Sequence, residues 1–182
     1  MLEYVVDNGL FSGTDEDAFE PDSPMSRAMM VTVLWRVAGK PDPGEAVNPF
    51  SDVADNSWFA IPVVWGSDQK VVNGVSQTRF DPNGNVTREQ VATLLYRFAA
   101  TQGMNTEAGA DLSAFPDAGK VSGYAQDAMA WAVAQGLITG SYEGDAILLN
   151  PQGNATRAQV ATIFMRYNEK LLALQPTTEP EG

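Results

Sequence analysis

The sequence contains no cysteine and no histidine. Those two absences remove thiol nucleophiles, disulfides, histidine general bases and the common zinc sites together. Cations are scarce too: 11 lysines and arginines face 23 acidic residues, a formal net charge of −12. Such a chain should repel a nucleic-acid backbone and an anionic membrane surface unless its few cations are clustered. No apolar run approaches the length of a membrane span, and no basic start followed by an apolar run marks a signal peptide. An exported protein of this kind has had its signal removed or carries it outside these 182 residues. What is present is the composition of a folded protein, with 44% hydrophobic and 19% charged residues.

The chain repeats itself. Segments 9–39, 70–100 and 136–168 align, with Arg27, Arg88 and Arg157 at equivalent points 61 and 69 residues apart. Pro21, Pro82 and Pro151 keep the same two offsets, and each of the three arginines is followed nine residues later by Arg36, Arg97 or Arg166. Six of the seven arginines therefore fall on two repeat positions, which composition alone does not produce. Upstream of the second and third segments, Phe50-Ser-Asp52 and Phe115-Pro-Asp117 each precede an aromatic, Trp58 or Tyr124, and then Trp65 or Trp131. The first segment has no such Phe-x-Asp block; its counterpart of Trp65 is Tyr4, so it begins inside its first helix.

The residues after each first arginine are spaced for a helix. Val91, Leu94, Leu95 and Phe98, and likewise Val160, Ile163, Phe164 and Tyr167, fall at i, i+3, i+4 and i+7. Met30, Val33, Leu34 and Val37 do the same in the first copy. Thr87-Arg-Glu-Gln90 and Thr156-Arg-Ala-Gln159 have the form of a capping box; Ser26 keeps the cap, but Met29 cannot close the box. A second helix is expected over Trp58–Gln69 and Tyr124–Gln135, with Pro62 tolerable only in its first turn. Loops with Gly13, Gly74 and Gly140 and Pro-containing turns join the two. Each repeat is thus helix, loop, helix, too small to bury its apolar face alone, and three packed together share a core. Lys40–Asn48 and Gln102–Asp111 read as connectors, and Gln175–Gly182 as a solvated tail or linker.

The series Phe50-x-Asp52, Trp58, Trp65, Gly74, Phe80-x-Pro82 and Thr87-Arg-Glu-Gln90 resembles the S-layer homology repeat. The third copy resembles it through Phe115-x-Asp117, Tyr124, Trp131, Gly136, Gly140, Pro151 and Thr156-Arg-Ala-Gln159. The resemblance implies an all-α fold of three helix-loop-helix repeats, packed with pseudo-threefold symmetry around a central helical bundle. The repeats would span 1–46, 47–110 and 111–174, the first truncated at its N-terminus, with 175–182 as the tail. It implies an extracellular module of a larger surface protein, monomeric and without cofactor, that anchors its cargo by binding a bacterial secondary wall polysaccharide, often pyruvylated, in grooves between repeats.

On that reading Arg27, Arg88 and Arg157 meet a glycan carboxylate. Trp58, Tyr124, Asp52, Asp117, Thr87, Thr156, Gly74 and Gly140 would support them. An arginine in the first helical turn opposes the macrodipole, so a stabilising role there would suit Asp or Glu better. Helix-start amides plus a guanidinium would hold an anion well. The structural alternative is an ion pair to Asp52 or Asp117 of a neighbouring repeat. Nine residues rotate a helix by about 900°, so Arg36, Arg97 and Arg166 point away from the first set, towards helix C-termini that favour cations. Trp65 and Trp131 have core spacing, whereas Trp58 and Tyr124 suit either a core or a sugar face. Asp52 and Asp117, just before a helix, suit capping or loop ordering as well as ligand contact.

Asp81-x-Asn83-x-Asn85 has the start of a calcium loop, but Val86 and Ala92 occupy the glycine and bidentate-carboxylate positions, so no metal is expected. A glycosidase would need a carboxylate pair, and the acidic residues mostly do not recur at repeat positions. The competing readings are a structural or protein-binding spacer with degenerate grooves, or part of a glycan-active enzyme.

Overall fold

The computed structural model describes residues 20–107 and 109–174. The helix expected around Tyr4, the Gly13 loop and the 175–182 tail lie outside them. Among the described residues five helices stand in chain order: α1 Arg27–Val37, α2 Ala60–Asp68, α3 Arg88–Thr101, α4 Gln126–Ala134 and α5 Arg157–Leu174. Single 3-10 turns at Leu112–Ala114, Ala118–Lys120 and Gly123–Ala125 lead into α4. The described chain is therefore mostly helical, as the periodicity predicts.

One small ribbon accompanies the helices of the expected all-α fold. β1 Ser141–Glu143 and β2 Ala146–Leu148 form an antiparallel ribbon, pairing Tyr142 with Ile147. The third copy has three more residues between Gly140 and Leu149 than the second has between Gly74 and Phe80. Gly144, at φ +62°, turns the extra length back as a tight hairpin.

Local signals set the helix starts. The Thr87 hydroxyl accepts from Gln90 N and the Gln90 side chain accepts from Thr87 N, closing the box. Thr156 and Gln159 exchange the same two bonds at 3.2 and 3.3 Å. Ser26 accepts only from Met29 N. Pro62 sits in the first turn of α2, where its missing N–H costs nothing.

A closed cycle of main-chain hydrogen bonds joins the three copies. Met25 N donates to Ala155 O, Ala155 N to Val86 O, and Val86 N to Met25 O, each at 2.9 Å. The first amides of each arginine-headed helix are then taken up by the turn of another copy. Arg27 and Ala28 donate to Gly84 O and Pro82 O, Arg88 and Glu89 to Gly153 O and Pro151 O, and Arg157 and Ala158 to Ser23 O and Pro21 O. Helix starts ordinarily leave such groups unpaired, so this exchange satisfies them and fixes the copies against one another. α1 packs on α2 and α3 on α4, so these two arginine-headed helices lie against the first helix of the following copy. One continuous core results, with Trp65 edge-on to Phe98 and Phe98 tilted against Tyr167 at 5.8 Å.

Candidate functional grooves between the copies

The turn before each proline sets the site. Glu20, Asp81 and Asn150 occupy one repeat position and all adopt positive φ, at 46°, 59° and 46°. A non-glycine residue in that region is costly and must be held. Asp52 does the holding in copy 2, its two carboxylate oxygens accepting from Phe80 N and Asp81 N at 2.8 Å. Asp117 repeats this on Leu149 N and Asn150 N at 2.9 and 2.7 Å. Burial pulls the Asp52 carboxyl upward, but the amide donors, with the Arg79 guanidinium 3.7 Å away, outweigh it and leave its pKa below the usual range. The two aspartates thus order loops.

The repeated arginines grip the same turns from the other side. Arg27 Nε donates to Phe80 O at 2.7 Å, its Nη2 to Asn73 O, and its guanidinium lies 4.7 Å over the Phe80 ring. Arg88 Nε donates to Leu149 O at 2.7 Å. Each loop residue therefore gives its N–H to an aspartate and its carbonyl to an arginine of the preceding copy. The direct ion pair to Asp52 or Asp117 is not among the salt bridges of the described residues. Burial lowers the pKa of Arg27 and Arg88, opposed by Asp81 and Asp52 for the first and by Asp117 for the second. A guanidinium stays protonated regardless. Arg88 is only 7% exposed, yet beyond its Nε bond its terminal nitrogens have no protein partner among the described residues.

Those terminal ends line grooves. One, of about 370 Å³, is bounded by Arg27, the Asn73–Val75 loop, one face of α3 including Arg97, and Tyr124, so all three copies contribute. The other, of about 250 Å³, repeats it with Arg88, the 137–141 loop and the α5 face carrying Arg166. Neither lining contains an acidic residue.

Two sequence expectations change here. Arg97 and Arg166 do point away from the first arginine of their own helix, but each shares a groove with the first arginine of the copy before. Rotation within one helix could not reveal a meeting between two copies. The helix-start amides, expected to help hold an anion, are already spent. The first two go to the neighbouring turn, and the Gln90 and Gln159 amides go to Thr87 and Thr156.

Trp58 and Tyr124 lie at the surface, 62% and 59% exposed, while Trp65 and Trp131 are core residues as their spacing predicts. Tyr124 lines the larger groove. Trp58 packs edge-on to Phe59 and lines neither groove. At Gly74 a Cβ would strike the loop main chain and the Phe50 ring, and at Gly140 it would strike the Ile147 side chain and crowd Leu148 O and the Phe115 ring. Arg157 Nη1 lies 3.6 Å from the Met29 sulfur, and the loop that would complete its groove falls outside the described residues. No cluster of acidic side chains suited to a metal ion occurs among the described residues.

The sequence profile of the S-layer homology domain matches residues 2–29, 49–92 and 114–161, more than half of the chain. This chain belongs to the S-layer homology domain family. It is 31% identical over 170 residues to the surface-layer 125 kDa protein of Lysinibacillus sphaericus, covering 93% of this chain and 14% of that one. Against the amylopullulanase of Thermoanaerobacterium thermosulfurigenes the figures are 24% identity, 93% and 9%. Against a cellulosome-anchoring protein of Acetivibrio thermocellus they are 26%, 84% and 34%. The chain thus spans about a third or less of each of these relatives, and such S-layer homology modules stand within surface-layer and cell-surface proteins. No helix among the described residues is long and apolar enough to cross a membrane.

Proposed function

We propose that this chain is a non-catalytic, extracellular anchoring module, monomeric within a larger surface protein, whose grooves hold an anionic, pyruvylated bacterial wall polysaccharide. The observation that carries the reading is electrostatic. In a chain of net charge −12, four of eleven cationic residues line two grooves free of carboxylates. Two guanidiniums from adjacent copies suit a carboxylate that one of them can take bidentately. The closed cycle of main-chain bonds supports a pseudo-threefold arrangement of repeats 1–46, 47–110 and 111–174, with 175–182 leading to the rest of the protein. By that arrangement Arg157 and Arg36 face a third groove beside Trp58. Membership of the family, and a relative named for anchoring, favour wall attachment over a protein-binding spacer.

The test is co-sedimentation with purified cell-wall fragments, before and after acid extraction of the polymer that is not peptidoglycan. Binding that disappears on extraction is the expected result. Equal binding to extracted walls would point to peptidoglycan or protein instead, and the proposal would fall.

A further inference from the structure

Tyr124 forms one wall of the Arg27–Arg97 groove, and its hydroxyl is tied to one residue of α3. Glu89 follows Arg88 in the chain, and the equivalent positions hold Ala28 and Ala158. Glu89 is 4% exposed as a residue, and its carboxylate forms no salt bridge with a described residue. It accepts instead from Ser122 N at 3.0 Å, Ser122 Oγ at 2.8 Å and Tyr124 OH at 3.2 Å. A glutamate in a first helical turn is favourable anyway, but that does not require a tyrosine hydroxyl as partner. The alanines of the other copies start their helices without it. What Glu89 adds is a ring held at its hydroxyl while more than half of the side chain stays open to solvent. Trp58 is the sequence counterpart of Tyr124 and Ala28 that of Glu89, so no carboxylate stands at that position in the first copy and Trp58 packs on Phe59 instead.

We propose that Glu89 is a positioning residue for glycan binding: it fixes Tyr124 as one wall of the Arg27–Arg97 groove, which then grips a sugar face as well as an anion. The inference rests on the wall-glycan reading above. Among the described residues, no aromatic lines the Arg88–Arg166 groove. Restraining the ring before binding removes an ordering cost from the complex, and a ring face suits the CH side of a pyranose. The phenol carries a signature of the tether. Its pKa is raised by burial and by the charge and hydrogen bond of Glu89, against the opposing influence of Arg97 and Gln90.

The experiment uses the Arg88→Ala, Arg157→Ala chain, which leaves the Arg27–Arg97 groove intact. The probe is a 4,6-O-pyruvylated methyl hexoside, measured by calorimetry. Glu89→Ala and Tyr124→Ala should each weaken binding about two- to tenfold. Glu89→Gln, which keeps an acceptor oxygen, should restore most of the loss. The double variant Glu89→Ala, Tyr124→Ala should bind no worse than Tyr124→Ala alone, because the two act as one unit. In parallel, NMR titration of labelled Tyr124 should show its pKa falling towards 10 in Glu89→Gln. An unshifted titration, unchanged affinity in Glu89→Ala, or a Glu89→Ala loss that persists without Tyr124 would each overturn the positioning role. If Arg27→Ala has no effect on the probe, the groove reading itself fails and takes the positioning role with it.

Discussion

Tyr167 occupies the place held by Phe98 one copy earlier and Val37 one copy before that. It is fully buried, and its hydroxyl finds no hydrogen-bond partner among the described residues. Burial drives its pKa far above the ordinary phenol value. Removing the orphan hydroxyl as Tyr167→Phe should stabilise the chain by about 1 kcal/mol, read as a rise of about 2–4 °C in Tm. A fall in Tm would mean that the hydroxyl is bonded. Asp52 presents the opposite situation, a carboxylate whose two oxygens are both used. Asp52→Ala should cost about 2–4 kcal/mol in denaturant unfolding, since two loop amides lose a charged acceptor. Its pH dependence has a fixed sign. The folded pKa lies below the unfolded value near 3.8, so the stabilisation is whole above that value and is lost as pH falls through the folded pKa. Acid unfolding of Asp52→Ala should therefore be flatter than that of the parent below about pH 4. Parallel profiles would contradict the assignment.

Among the elements, the helices were legible and the joints between them were not. Val91, Leu95 and Phe98 announce α3 through spacing, and Thr87 with Gln90 announces its start, because both signals are local. The ring through Met25, Val86 and Ala155 has no such signature: its partners lie 61 to 130 residues apart and bond through main chain that any side chain could carry. The ribbon was half legible, since a longer spacing in the third copy marks an insertion without giving its shape. The loop glycines were readable as turn residues, but their reason is contact. Gly74→Ala would drive a Cβ into Arg79 O, Ser76 O and the Phe50 ring, and should cost about 1–3 kcal/mol by overpacking. Gly103→Ala is the comparison: nothing lies within 4 Å of its Cβ, so only the strain of its φ of +73° is felt. Equal losses in thermal melts of the two variants would remove the packing argument.

For the whole molecule, the first arginines were singled out by recurrence alone, but their surroundings depend on assembly. Sequence offsets put Arg27 and Arg97 at different repeat positions, 70 residues apart, and only the packing of α3 beside the loop of Asn73 brings them to one groove. The same packing spends the helix-start amides on the neighbouring turn, leaving the guanidinium ends as the cationic lining. If the proposed site lies between copies, binding should need the assembled ring and not a single repeat. Soluble wall polymer released by acid, titrated into the chain by calorimetry, tests this most directly when the parent is compared with Arg27→Ala, Arg88→Ala. A charge-assisted contact in each groove is worth about 1.5–3 kcal/mol, so each replacement should weaken its own groove roughly ten- to a hundredfold with helicity retained. Arg→Lys at both positions should recover only part, because the bidentate fork is gone. A folded double-alanine variant that binds the polymer as tightly as the parent would show that these arginines only hold the loops together.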